Sequence, residues 1–588
     1  MHRVIESSEL LEHRETRQES VPAPKPNAKA PPRANPTPAP LAYPVFMRKL
    51  FAALILSALL FAQETADQNV NARIRSEEAA HSQIMRTLHM LTDRYGPRLA
   101  GSPNYEAAAK WAAATLTEWG LKNAHLEPWD FGHAGWLNER AAGYLVAPVQ
   151  DTLTFEVLGW TPSTNGTVAA AAVEVTPPQG PPAAGRGAPA AVTVTPAPSP
   201  WPTREELTQW LDANQSKVKG KIVLVGKAAT IPVSFTPPAL RRDDAQVRAQ
   251  FDPNNPNAGF GRGGRGQPPT PDPSRLTAAQ VNEMVDAWLV ANGALVRVND
   301  AAREHGQIRA FQNRTYDVAK AVPTVVLRNE DYGRIERLLN DGEDVRLEFN
   351  IVNHVYPEGK TAYNVVAEIP GTDRADEIVM LGGHLDSWHA ATGATDNAIG
   401  ATMMMEAARL IQALGLKPRR TIRIALWDAE EEGLLGSLAY VKQHFGMFED
   451  PKPEYSSLVA YFNIDSGTGR VRGASVFGPP EAAAVVRAAL APFEDLGVAG
   501  AVPSTSRAVG GTDSTSFSNA GLAGVGLQQD PIEYQSHTWH TNLDTYERIV
   551  PEDARQAAMV IAAAVWHVAN RDQPLPRFTK EQMPPPAR

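Results

Sequence analysis

The 588-residue chain contains no cysteine. That absence excludes a disulfide framework and every thiolate metal ligand, and it leaves the compartment open. No uninterrupted apolar run reaches the ~18 residues that a membrane-spanning helix needs. Positive charge is not in excess either. Lys and Arg number 56 against 65 Asp and Glu, a net charge of −9. This gives no electrostatic case for nucleic acid. The short Arg-Gly tract Gly259-Phe260-Gly261-Arg262-Gly263-Gly264-Arg265-Gly266 therefore reads as a flexible insertion. What the chain does have is length for several domains and an apolar content of 43%, enough for real cores.

Three short clusters in the C-terminal half each follow an apolar run. Ile378-Val379-Met380-Leu381 leads to Gly383-His384-Leu385-Asp386. Ile422-Arg423-Ile424-Ala425-Leu426-Trp427 leads to Ala429-Glu430-Glu431-Glu432-Gly433. Leu458-Val459-Ala460-Tyr461-Phe462 leads to Asn463-Ile464-Asp465. Such runs are the pattern of buried strands, and in an open α/β sheet ligands gather beyond the carboxyl ends of strands. Two further pieces are Thr395-Asp396-Asn397, before a helical pattern over 403–414, and His540-Thr541-Asn542-Leu543-Asp544 near the end. The candidate metal ligands are His384, Asp396, Glu431, Asp465 and His540. Imidazole and carboxylate suit zinc. Five ligands exceed one tetrahedral catalytic ion with an open position. They fit two zinc ions sharing a carboxylate, an arrangement that activates water and clamps a polarised carbonyl. Glu430 stands beside them as a non-ligand carboxylate able to take the water's proton. On chemistry alone Glu430 and Glu431 could exchange roles.

Taken in order, His-Leu-Asp-Ser-Trp, Thr-Asp-Asn-x-x-Gly, Trp-Asp-Ala-Glu-Glu-x-Gly-Leu-Leu-Gly-Ser, Asn-x-Asp and His-Thr-x-x-Asp-Thr resemble the dizinc exopeptidase family over roughly residues 80–570. The stretch Leu414-Gly415-Leu416-Lys417-Pro418-Arg419-Arg420-Thr421 and the later Gly510-Gly511-Thr512-Asp513 are most similar to its carboxypeptidase Q-like branch. The resemblance implies His384 and Asp465 on one zinc, Asp396 as the bridge, and Glu431 and His540 on the other zinc. It also implies Glu430 as general base, Asp386 orienting the His384 ring, and Asp544 in a similar part near His540. A cis peptide bond after the bridging Asp396 is implied as well. Where family carboxypeptidases carry a Tyr before the last His, whose hydroxyl helps hold the oxyanion, this chain has Trp539; either its indole N–H substitutes, or a Tyr elsewhere, with Tyr534 the candidate, reaches in. Glu432, Asp428, His389 and His537 read as ordinary structural or solvated residues.

The implied fold is α/β, with a mixed, mostly parallel sheet flanked by helices and an inserted β-rich protease-associated domain. Its two parts of the peptidase domain cover 70–144 and 353–572, and the insertion covers 145–352. Helical periodicity from His81 to Leu91 and from Tyr105 to Trp119 brackets the turn-rich Gly96-Pro97-Arg98-Leu99-Ala100-Gly101-Ser102. The Pro/Ala-rich 176–200 and the Gly/Pro/Asn-rich 252–273 read as mobile surface loops. Met47-Arg48-Lys49 followed by the apolar 50–62 is the pattern of a secretory signal. Residues 1–46 read as disordered and upstream of the true start, and 573–588 as a disordered tail. The expectation is a secreted or periplasmic enzyme with two zinc ions and a peptide substrate. No nucleic-acid partner and no stable membrane insertion after signal cleavage are expected; a homodimer is left open. A glutamate-type carboxypeptidase is the alternative specificity. It is weakened because 521–537 holds no Arg or Lys, which leaves Arg507 as its candidate cation. A metal-dead binding protein of the same fold is the alternative of another class, and no ligand position is substituted in its favour.

Overall fold

The computed structural model describes residues 67–178, 201–238, 240–255, 272–508 and 511–586. The expected signal at 47–62, the stretch before it, the Arg-Gly tract and most of both low-complexity loops lie outside the described residues.

The first sheet has eight strands in the order Lys122–Asp130, Thr361–Ile369, Arg420–Trp427, Arg374–His384, Leu458–Asn463, Gly524–Gln529, Val471–Phe477 and Ala501–Ser504. Its four central strands, 420–427, 374–384, 458–463 and 524–529, are parallel. Antiparallel strands flank them on either side. The apolar runs of the sequence are these parallel strands, buried on both faces: every residue of Leu458–Asn463 is buried. Parallel sheets require that cover. Helices Ile399–Ala413 and Pro551–Asn570 pack into the largest core, and Leu435–His444 and Ser514–Asn519 accompany a second core around Trp427 and Tyr461. The helix Pro103–Glu118 starts at Ser102, whose hydroxyl accepts the Tyr105 amide. It buries Ala108, Ala109, Ala112 and Leu116. The N-terminal helical pattern resolves into Gln68–His81 and Ile84–His89, and Val70, Ile74, Ile84 and Leu88 enter the same core.

The chain then builds a second eight-stranded sheet before returning to the first. Gly135–Ala147 and Arg346–Tyr356 pair antiparallel along their length and form its entry and exit. Four consecutive parallel strands follow, Val168–Val175, Ile222–Val225, Val296–Asp300 and Thr324–Leu327. Parallel neighbours need crossovers. Helices Arg204–Asn214 and Ala278–Ala291, both opened by capping boxes, supply the first two, and the loop between Asp300 and Thr324, with the single turn Val318–Lys320, the third; Asn329–Asn340 lies beyond the last strand. The inserted unit is thus more helical than a β-rich module.

The expectation of a disordered tail from 573 needs correction. Leu575 is buried, Phe578 packs edge-on against Phe477, and Arg577 donates to the Tyr455 carbonyl. Three anchoring side chains spaced among prolines leave no periodic pattern, yet they hold the segment. Among the described residues no helix is long and apolar enough to cross a membrane.

Candidate metal centre

The carboxyl ends of the parallel strands deliver the expected residues to one place. His384 ends its strand, Glu430 and Glu431 follow the strand ending at Trp427, and Asp465 follows the strand ending at Asn463. Asp396 lies in the turn before helix Ile399–Ala413, and the Asp396–Asn397 peptide bond is cis. His540 has a left-handed backbone (φ 61°) just beyond the one-turn segment Tyr534–Thr538.

Two groups of ligand-type atoms result, and they share one carboxylate. In the first, His384 Nε2 lies 3.3 Å from Asp396 Oδ1 and 3.5 Å from Asp465 Oδ1. In the second, His540 Nε2 lies 3.1 Å from Asp396 Oδ2 and 2.9 Å from Glu431 Oε2. Asp396 therefore turns one oxygen to each group. Atoms sharing a zinc at about 2.0–2.2 Å in tetrahedral geometry stand about 3.2–3.6 Å apart, and the first group matches this spacing. His384 Nε2 and Asp396 Oδ2 are buried without a hydrogen-bond partner. Buried polar atoms are normally satisfied. Orphaned ligand atoms facing common centres fit metal ions, and the all-nitrogen-and-oxygen donor set suits zinc. Burial works against the Asp396 charge, yet the His384 and His540 imidazoles hold its carboxyl below the usual range.

The surrounding residues fix these atoms. The Asp386 carbonyl lies 3.1 Å from His384 Nδ1 and its carboxylate 3.5 Å, which leaves Nε2 for the centre. The same carboxylate accepts the backbone amides of Glu430 (3.1 Å) and Glu431 (3.2 Å). Asp386 thus sets both the imidazole and the acidic turn. Glu430 Oε2 stands 4.0 Å from His384 Nε2, and burial raises its carboxyl well above the usual range, with His384 acting against the rise. The structure separates Glu430 from Glu431: only Glu431 shares a group with Asp396 and His540. Asp544 does not hydrogen-bond His540. Its carboxylate instead accepts the amides of Thr395 (2.5 Å) and Asp396 (3.0 Å), fixing Asp396, the carboxylate common to both groups, through its backbone. Burial and the neighbouring Asp396 push the Asp544 carboxyl up to about 7.

Glu432 also differs from its reading as a solvated loop residue: both its carboxylate oxygens are buried and unpartnered. His389 is a core residue bonded to the Val157 carbonyl (2.6 Å), and His537 pairs with Ser536. Asp428 is buried and caps the Ala429 amide. Arg507 is engaged by Glu449 and the Asn519 carbonyl, so it offers no cation to a substrate.

Two contributors were missed by sequence reasoning or only half seen. Arg98 is fully buried and donates to the carbonyls of Leu91, Leu385, Thr392 and Gly393. It ties the chain after His384 to the chain before Asp396. Its only sequence signal was an arginine set among turn residues. The Tyr534 hydroxyl lies 3.4 Å from Asp465 Oδ1, whereas Trp539 lies under the Arg309 guanidinium. A small pocket beside the second group is lined by Trp388, Gly393, Asp396, Glu431, His540 and Asp544.

Residues 364–565, a span holding all seven expected site residues, match the model for Peptidase family M28. The chain is 27% identical to carboxypeptidase Q of Mus musculus over 494 residues, covering 83% of this chain and 86% of that protein. It is 27% identical to the Homo sapiens carboxypeptidase Q over 502 residues, covering 85% and 88%. In structure it resembles a peptidase M28 precursor from Shewanella amazonensis SB2B, with a TM-score of 0.58, 24% identity, and coverage of 87% of this chain and 99% of that one. It also resembles a zinc aminopeptidase from Bacillus subtilis, with a TM-score of 0.50, 17% identity, and coverage of 83% and 95%.

Proposed function

We propose, on the premise that this chain is a metallopeptidase of the dizinc exopeptidase family, that it is an exported enzyme that hydrolyses peptide bonds next to a free terminus of short peptides. One observation carries the reading: two groups of ligand atoms share Asp396, one oxygen each. His384 and Asp465 would hold one zinc ion, Glu431 and His540 the other, with Asp396 between them. Zinc held there would supply Lewis acidity toward water and the scissile carbonyl.

The chain's own residues do the rest. Glu430 takes the proton of the attacking water on its carboxylate and returns it to the leaving amine. Asp386 keeps Glu430, Glu431 and the His384 ring in register through the hydrogen bonds given above, and Asp544 does so for the bridge. The Tyr534 hydroxyl, beside Asp465, donates to the oxyanion as the carbonyl becomes tetrahedral. The inserted unit acts as a protease-associated domain that narrows access. In support, its Phe311 meets both Trp388 and His540 at the pocket. The basic and apolar pattern at 47–62 supports a removable signal and a secreted or periplasmic location.

The test is a panel of aminoacyl amides, dipeptides and C-terminal glutamyl peptides given to zinc-loaded protein, with zinc per chain measured alongside. Cleavage together with two zinc ions supports the reading. Zinc-free protein that binds peptides without cleaving them supports the binding-protein alternative, and cleavage confined to C-terminal glutamyl peptides supports the glutamate-type carboxypeptidase.

A further inference from the structure

Between strand Ile222–Val225 and helix Ala278–Ala291 the inserted unit sends out an arm that packs on the other sheet. The short helix on this arm, Asp244–Phe251, buries Val247 and Phe251 in one cluster with Val502 of the edge strand Ala501–Ser504. Gly473 makes the seat, since a Cβ there would stand 2.6 Å from the Phe251 ring. A ring fitted to the gap left by a missing side chain is close packing of the kind found in cores.

The residues before this helix grip the root of the loop that carries Tyr534 and His540. The Leu240 carbonyl accepts the Ile532 amide at 3.1 Å. The Arg242 amide donates to Asp530 Oδ1 at 3.1 Å, and its guanidinium donates to the Gln529 carbonyl at 2.7 Å. Asp530 is fully buried just after strand Gly524–Gln529. Arg472 meets the same carboxylate at 3.0 Å and also pairs with Asp244 of the arm. The chain beyond Asp530 needs such a hold. Ile532 (φ 32°) and Glu533 (φ 63°) both take left-handed backbone. A branched side chain is strained there, and such residues persist where the surroundings over-determine them. Tyr534 comes next. It lies against Gly467, where a Cβ would stand 2.9 Å from its ring, and its hydroxyl reaches Asp465.

We propose that the arm 240–251 positions the reaction centre, with Arg242 as its principal positioning residue. By fixing Gln529, Asp530 and Ile532, the arm sets where the Tyr534 hydroxyl and the His540 imidazole stand. The assignment rests on the exopeptidase reading above. A group misplaced by about 1 Å in a reaction centre costs up to about 10²-fold in rate, so a grip at the root of this loop is felt at the residues it presents.

The experiment makes Arg242→Ala, Arg242→Lys and Phe251→Ala in the full chain. Hydrogen exchange of the metal-free proteins comes first. Amides over 531–541 are expected to exchange about tenfold faster in Arg242→Ala and Phe251→Ala, while strand Leu458–Asn463 keeps its protection. On zinc-loaded protein, with the best-cleaved substrate of the panel above, kcat should fall about tenfold in both while KM stays within about twofold. Arg242→Lys should recover part of the loss, because an ammonium still donates to the Gln529 carbonyl. In a Tyr534→Phe background, Arg242→Ala should cost less than about threefold in kcat, since the two changes remove one shared effect. Unchanged exchange over 531–541 in both arm variants overturns the proposal. So does faster exchange with an unaltered kcat, or a loss in kcat that is fully additive with Tyr534→Phe. These three results leave the exopeptidase reading standing. A wild type that cleaves no peptide overturns that reading and the positioning role with it.

Discussion

The molecule contains two eight-stranded sheets, each with four consecutive parallel strands, and their carboxyl ends are treated in opposite ways. In the inserted sheet the acidic groups at that edge are answered. Lys227 lies 2.5 Å from Glu174 and 3.3 Å from Glu336. Asp300 accepts the amides of Ala229 and Ala302 and the Asn329 side chain. In the first sheet the equivalent edge gathers Asp396, Glu430, Glu431 and Asp465 around two imidazoles, with no Lys or Arg paired to any of them among the described residues. Topology brings polar residues to the strand ends in both sheets. What distinguishes the two edges is that one is neutralised by its own chain and the other, on the reading proposed above, by two metal ions.

The largest break in this comparison is expected at the shared carboxylate. Asp396→Ala should lose both zinc ions and all measurable turnover, whereas Asp300→Ala at the matching edge of the inserted sheet should leave zinc content and kcat as they are. Zinc analysis and initial rates on the same preparations check this. Equal zinc in the Asp396 variant and the wild type would dissolve the distinction. Next in size, Glu430→Gln should keep both ions and lose about 10²–10⁴-fold in kcat. Near-normal turnover with metal in place would remove it as the base. Tyr534→Phe should lower kcat by about 10²-fold while zinc stays bound, and an unchanged kcat would return the oxyanion to the metal alone.

Stability sharpens the contrast further. Arg98→Met strips four buried carbonyls of their donor and should cost about 3 kcal/mol or more. Lys227→Met, which removes an ammonium that itself stands largely in solvent, should cost less than Arg98→Met does. Chemical denaturation of the metal-free proteins separates the two.

The smallest effect lies away from both edges. Burial, and then the neighbouring Glu406 carboxylate, raise the Glu78 carboxyl to about 8, with Ser82 and Arg409 acting against it. A carboxyl raised in the folded state contributes stability that is complete below its usual range and is lost as pH rises through about 8. The melting temperature should therefore decline between about pH 4.5 and 8 and level off above that, and Glu78→Gln should flatten that decline. An identical slope in the variant would contradict it.

Much of the first sheet was legible because each ligand follows an apolar run, and a run buried on both faces has one natural exit, the carboxyl end. His384, Asp465 and the acidic pair at 430–431 could be ordered along the chain for that reason. Arg98 could not be read this way. Its partners are Leu385, Thr392 and Gly393, almost three hundred residues on, and no local pattern announces a contact of that range. The same holds for Asp544, whose hold on the Thr395 and Asp396 amides replaces the expected contact with His540, and for Arg242, which enters from the insertion. The tail after 573 misled for a related reason: a few anchors among prolines carry no period, although Leu575 and Phe578 find hydrophobic seats.

The most direct test of the central claim is anomalous scattering at the zinc edge from crystals of the zinc-loaded protein. The account predicts two peaks flanking the Asp396 carboxylate, one contacting His384 and Asp465 and the other Glu431 and His540. A single peak, or two peaks that do not share Asp396, would contradict it.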